Sequence, residues 1–244
     1  MRYTVTFAFL LLALSAQAQV PGFMGRRFTV FLDANPTPAI FVQNANNALA
    51  TYTEETRAHK KESYLAYNFR PQITAEYLVH RDVSLGLSYS RISVGTLRGF
   101  LTHPDATEFT VDYDVVKGQA LGIHLKMFGF KKSASIAPIG FYKTLSVYLT
   151  QTNTYDNRKS KTKLFEKDFT YPVVSLGIGR QSMITKNVIV KTGIELGWAF
   201  VPSNFWSESE DEWTTQEYAG YNVHQSLFGY YMFNVNLGVG YTIF

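Results

Sequence analysis

Tyr231-Met232-Phe233-Asn234-Val235-Asn236-Leu237-Gly238-Val239-Gly240-Tyr241-Thr242-Ile243-Phe244 alternates in side-chain character at nearly every step. Tyr231, Phe233, Val235, Leu237, Val239, Tyr241 and Ile243 share one parity, while Met232, Asn234, Asn236, Gly238, Gly240 and Thr242 share the other. A period of two is the signature of an extended strand, whose successive side chains point to opposite faces. One face is apolar and aromatic throughout, and the other is mostly small and polar. Such a strand suits a wall with lipid on one side and a polar lumen on the other.

Seven further segments repeat this pattern. The first, about 25–35, sets Phe28, Val30 and Leu32 against Arg27, Thr29 and Asp33. The second, about 66–79, sets Ile73, Ala75, Tyr77 and Val79 against Gln72, Thr74 and Glu76. In the third, Val83, Leu85, Leu87 and Tyr89 alternate with Ser84, Gly86, Ser88 and Ser90. The fourth opposes Leu121, Ile123, Leu125 and Met127 to Gly122, His124 and Lys126. The fifth opposes Phe141, Leu145, Val147 and Leu149 to Tyr142, Thr144, Ser146 and Tyr148, with Lys143 an exception on the apolar face. The sixth carries Val174, Leu176 and Ile178, and the seventh Val188, Val190, Ile194, Leu196, Trp198 and Phe200 opposite Lys191, Gly193, Glu195 and Gly197.

The connections alternate as well. Those around 80–83, 131–137 and 184–187 are short, and those around 36–65, 95–108, 151–168 and 202–225 are long. The expectation is an all-β, eight-stranded antiparallel up-and-down transmembrane β-barrel with short periplasmic turns and long extracellular loops. A soluble barrel of the lipocalin kind has the opposite sense, apolar inside and polar outside. The charges opposite the apolar rows favour the membrane sense.

Residues 1–18 read as a secretory signal peptide: Arg2 is the positive region, Val5 to Leu14 the apolar run, and Ala16-Gln17-Ala18 the small-residue cleavage pattern. The β-barrel domain is then expected over 19–244. No later run of about eighteen apolar residues is present, so no spanning helix is expected. The chain has no cysteine, which excludes a disulfide framework and thiolate chemistry. Its formal charge of +4, with both signs scattered, is no nucleic-acid footprint. Aromatic residues make up 16%, which suits girdles at the two membrane interfaces.

On these residues the chain resembles the small outer-membrane β-barrels of Gram-negative bacteria, the OmpX/OmpA-like group, and the outer membrane protein beta-barrel domain common in Bacteroidetes. The most local part of the resemblance is Asn236 to Phe244, similar to the terminal insertion signal with Tyr241 and Phe244 as its aromatic residues. In the commonest pattern the apolar residues share parity with the terminal aromatic; here they take the opposite parity. The resemblance implies the bacterial outer membrane as location. Its implied partners are outer-membrane lipid, lipopolysaccharide and, during assembly, the barrel-insertion machinery.

Arg27, Glu76, Lys126, Lys191 and Glu195 fall on lumen-side parities and are expected to form a paired charge network, because unpaired interior charge is costly. Arg158, Lys159, Lys161, Lys163 and Lys167 make the third long loop basic. Glu208, Glu210, Asp211, Glu212 and Glu217 make the fourth acidic, with Trp206 and Trp213 beside them. Both loops are interaction candidates, for lipopolysaccharide phosphates or a partner protein. His224-Gln225-Ser226 resembles the His-x-Ser of outer-membrane lipid A deacylases, with both side chains on one strand face. Gly238 stands where an orienting carboxylate would be needed, so no catalytic residue is assigned. The five histidines are dispersed, so no metal site is expected, and no cofactor. The function read from the sequence is a non-enzymatic outer-membrane barrel with a structural or surface-interaction role. The alternatives are a narrow pore or carrier for small or apolar solutes, and a lipid-modifying enzyme.

Overall fold

The computed structural model describes residues 27–42, 45, 48–49, 61–62, 66–80, 82–95, 114–129, 139–156, 163–200 and 215–243. The signal-peptide segment 1–18 and Phe244 lie outside the described residues, as do most of the long loops. The strands are β1 (Phe28–Pro38), β2 (Ala48–Leu49), β3 (Lys61–Glu62), β4 (Tyr67–His80), β5 (Val83–Gly95), β6 (Asp114–Phe128), β7 (Gly140–Asp156), β8 (Phe169–Met183), β9 (Val188–Ala199) and β10 (Asn234–Thr242). One helix, α1 (Thr215–Met232), precedes β10. Among the described residues no helix is long and apolar enough to cross a membrane.

Eight strands close into a ring in the order β1-β10-β9-β8-β7-β6-β5-β4, every neighbour antiparallel. β2 and β3 form a small separate parallel pair within the first long connection. Closure leaves the ring without an open sheet edge over its paired length, which a sheet in lipid requires. His80, Val83, Phe128, Gly140, Met183 and Val188 end their strands at one rim of the ring, and Pro38, Tyr67, Gly95, Asp114, Asp156, Phe169 and Ala199 at the other.

The pleat sorts the side chains with an inside-out sense. Leu32, Leu87, Leu121, Ile123, Leu149, Leu176, Ile178, Leu196 and Val239 all point outward and are each more than half exposed. Their strand neighbours Asp33, Ser88, Gly122, Thr150, Ser175 and Glu195 point inward and are buried or nearly so. Water around the outer wall would meet a continuous apolar belt, far larger than a soluble monomer exposes. The wall is a lipid-facing surface. Aromatic residues mark both rims: Tyr67, Phe69, Trp198 and Phe200 at the long-loop end, Phe141 and Tyr241 at the short-turn end.

The stretch 231–244 departs from its expected form. The strand covers only Asn234–Thr242, and Tyr231 and Met232 belong to α1, which also takes residues 215–225 of the expected loop. Tyr231 is 1% exposed and faces the barrel interior, not lipid. The physical reason is a second periodicity: Ala219, Val223, Leu227, Tyr230 and Tyr231 recur at helical spacing and are all buried. As a helix this segment buries that stripe in the barrel mouth. Fully burying a Val or Leu side chain contributes about 1.5–3 kcal/mol.

β10 is consequently short. It pairs with β9 only as far as Asn234 opposite Glu195, and with β1 only as far as Leu237 opposite Ala34. β1 runs on to Pro38 and β9 to Ala199. In the outer part of the barrel α1 takes over, packing chiefly against β9 and further against β8, β5 and β7. Phe228 meets Trp198 edge-on at 4.9 Å, and Gly229 approaches Val42 and Phe41 so closely that a Cβ there would lie 3.0 Å from Val42 Cβ.

Candidate functional site

The lumen has two storeys. In the outer one, α1 presents Ala219, Val223, Leu227, Tyr230 and Tyr231 to Ile92, Val94, Val116, Ala120, Tyr148, Tyr171, Val173 and Ala199 of the wall, forming one apolar core. The inner one is charged. Lys191 Nζ stands 2.9 Å from Asp33 Oδ2 and 3.9 Å from Glu76 Oε1; Lys126 Nζ pairs with the same Glu76 oxygen. Arg70 Nη2 lies 3.1 Å from Glu195 Oε2. Three cations therefore face three carboxylates, all contributed by wall strands and each at most 6% exposed.

Aromatic rings complete the site. The Arg70 guanidinium lies over Tyr231 at 4.6 Å and over Tyr148 at 5.1 Å, joining the ion-pair level to the end of α1. Lys126 sits 4.6 Å from the Tyr142 ring and Lys191 the same distance from Phe31. Desolvated contacts of this kind are worth up to about 2 kcal/mol. Glycines on the facing strands make the room. A Cβ on Gly240 would lie 2.4 Å from the Phe31 ring, and one on Gly122 would lie 2.6 Å from that of Tyr148.

Glu195 is the hub. Its carboxylate accepts from Arg70, from Ser146 Oγ at 3.1 Å, from Ser175 Oγ at 2.7 Å and from Tyr148 OH at 3.2 Å. His124 stands between two serines, its Nδ1 2.8 Å from Ser146 Oγ and its Nε2 2.6 Å from Ser88 Oγ. With the Ser146 proton directed to Glu195, Nδ1–H donates to Ser146 and Nε2 accepts from Ser88. That connectivity resembles a hydroxyl-and-base relay, but Ser88, His124 and Ser146 are all buried inside the closed wall. A nucleophile needs its substrate within reach, whereas Ser88 is 6% exposed. The arrangement works as a satisfied interior network.

Of the residues singled out in the sequence, Glu76, Lys126, Lys191 and Glu195 come together here. Arg27 lies just before β1 at the short-turn end, half-buried, its carbonyl accepting from the Leu78 N–H. Asp33 and Arg70, which complete the ion pairs, were not among those candidates. Asp33 carried a signal, since it lies on the polar face of the first segment. Arg70 carries the same signal, lying on the polar parity of Asn68, Gln72, Thr74 and Glu76 in an unbroken alternation.

The loop candidates are placed only in part. Lys163 forms a 2.8 Å ion pair with Asp168 and donates to the Glu166 carbonyl, closing the β7–β8 connection on itself. This pairing, together with the Asn153 amide, holds the Asp168 carboxyl below its ordinary range. Lys159, Lys161, Trp206, Glu208, Glu210, Asp211, Glu212 and Trp213 lie outside the described residues. Tyr241 is exposed at the short-turn rim, where its hydroxyl accepts from the Asn187 amide at 2.8 Å.

His224 and Ser226 do not share a face, because the segment is helical and two residues turn about 200° around its axis. Ser226 Oγ donates to the Asn222 carbonyl at 2.9 Å, and His224 Nε2 donates to the Ala199 carbonyl at 2.8 Å. No group of three or more potential metal ligands is found among the described residues.

No protein-family model matches the chain, and no curated protein matches it. Among solved structures the chain is similar to Neisserial surface protein A, with 13% identity, 88% of this chain and 96% of that chain covered, and a TM-score of 0.41. It is also similar to Ail, the attachment invasion locus protein of Yersinia pestis, with 11% identity, 89% and 97% covered, and a TM-score of 0.33.

Proposed function

We propose that this protein is an integral barrel of the bacterial outer membrane, exported by its N-terminal segment, with a non-enzymatic structural or surface-interaction role. One observation carries the reading. The barrel is apolar and exposed outside, while paired charges, aromatic rings and α1 are buried inside it. The belt accounts for membrane residence, because only a closed barrel or a helix satisfies its backbone in lipid. The filled lumen accounts for rigidity, as expected of eight strands, whose interior is just wide enough for side chains. The loops at the long-loop end are then the parts that meet lipopolysaccharide or a partner, the basic third loop and acidic fourth loop being the candidates.

Planar-bilayer recording tests the reading. Purified chain inserted into a bilayer is expected to give no conductance steps above baseline. Reproducible steps would favour the narrow-pore alternative and count against a filled lumen.

A further inference from the structure

The outer wall of β5, β6 and β7 changes character abruptly near the long-loop end. Leu87, Leu121, Ile123 and Leu149 belong to the exposed apolar belt. Beyond them the outward positions are Tyr89 and Arg91 on β5, Gln119 and Lys117 on β6, and Gln151 on β7. Register sets Arg91 opposite Gln119 and Gln119 opposite Gln151, so these side chains are cross-strand neighbours on one face. They line a cleft of about 330 Å³ together with Tyr89 and Asp168.

A directional hydrogen-bond chain organises the cleft. Tyr89 OH donates to Gln119 Oε1 at 3.2 Å, Gln119 Nε2 donates to Gln151 Oε1 at 3.3 Å, and Gln151 Nε2 donates to Asp168 Oδ2 at 3.1 Å. The acid at the end of the chain is already offset by Lys163. Each glutamine amide spends one N–H along the chain and keeps a second. Arg91 and Lys117 stay outside it. Neither forms an ion pair or hydrogen bond among the described residues, and Lys117 is held only over the Tyr155 ring at 5.5 Å. Two cations with no ion-pair partner among the described residues therefore share a cleft with oriented amide donors.

We propose that this cleft binds the phosphorylated headgroup of an outer-leaflet lipid, with Arg91 and Lys117 gripping the phosphate and the Gln119–Gln151 amides donating beside it. Depth selects the ligand. The cleft opens immediately above the apolar rows, where the charged part of a lipid stands when its chains lie along the belt. Charge and geometry select phosphate, which a planar guanidinium grips in two places and an ammonium reinforces. The assignment rests on the membrane reading above and adds to it a specific lipid chemistry.

The test uses the full chain in phosphatidylcholine nanodiscs, with bis-phosphorylated lipid A as probe and the Gln119 and Gln151 side-chain amide resonances as readout. Saturable shifts at both amides are expected. R91Q/K117Q should weaken binding by at least about tenfold, the loss of two charge-assisted contacts. K143Q, at the opposite end of the same wall, should leave it unchanged. Equal binding by R91Q/K117Q, or equal shifts with dephosphorylated lipid A, would overturn the proposal. Equal shifts with inorganic phosphate at the same concentration would overturn the assignment to a lipid. Heat-modifiable gel migration of every sample keeps the two readings apart. A parent chain lacking it would sink the membrane reading, whereas a heat-modifiable barrel whose amides ignore lipid A would sink the cleft alone.

Discussion

Asn234 holds the end of α1 to the wall: its amide donates to the Tyr231 carbonyl at 2.9 Å while its side-chain oxygen accepts from Thr37 Oγ1 at 2.6 Å. One buried residue thus ends the helix, starts β10 and ties both to β1. Asn234→Leu removes both bonds and strands a buried carbonyl and hydroxyl, at a cost of about 1–3 kcal/mol. Hydrogen exchange should show the loss first as faster exchange over 219–231, with β5–β7 unchanged. Uniform loss across the barrel would contradict the local role.

Arg70 and Glu195 form a fully enclosed ion pair. Arg70→Leu leaves a buried carboxylate without its cation, and about 3–5 kcal/mol of destabilisation is expected in denaturant unfolding from vesicles. Removing both charges together, as R70L/E195L, should cost less than R70L alone. A double variant at least as unstable as the single one would show that Glu195 is held mainly by Ser146, Ser175 and Tyr148.

Leu176 lies midway along β8 and faces outward. Leu176→Arg should destabilise the inserted barrel by about 2–4 kcal/mol, the cost of a cation at the bilayer midplane. Ser175→Ala, on the opposite face, should cost far less. Similar unfolding of L176R and parent would argue that this face never meets lipid.

His224 responds to acid. It packs against Tyr171 and Tyr221, and burial, partly countered by its hydrogen bond to Ala199, lowers its pKa from the ordinary 6.5. The folded state therefore binds fewer protons than the unfolded one, and stability falls as pH drops below about 6.5. Protection of α1 against hydrogen exchange should fall between pH 7 and pH 5. In His224→Gln that pH dependence should flatten. An unchanged pH profile in the variant would assign the effect to another group.

The wall of this protein is written openly in its sequence. Rows such as Leu121-Ile123-Leu125 or Leu145-Val147-Leu149 alternate because each residue meets one of only two environments. The segment before β10 is harder to read, since two periods overlap there. Tyr231 continues the two-step row of Phe233 and Val235, and it also completes the helical row of Val223 and Leu227. Burial in the barrel mouth decides in favour of the helix. Lumen charges can be assigned to a face by parity, but pairing Arg70 with Glu195 needs the ring, since 125 residues separate them.

The short β10 also governs how the ring comes together. The β1–β10 seam holds six paired positions, against fifteen between β6 and β7. It also joins the most distant parts of the chain, Thr29 and Thr242 being 213 residues apart. Loop-closure entropy is greatest there and the reward in cross-strand bonds is smallest. Hairpins such as β6–β7, whose strands are close in sequence, can zip first and present a curled sheet with two free edges. Closing the last seam is then expected to be the slow event of assembly.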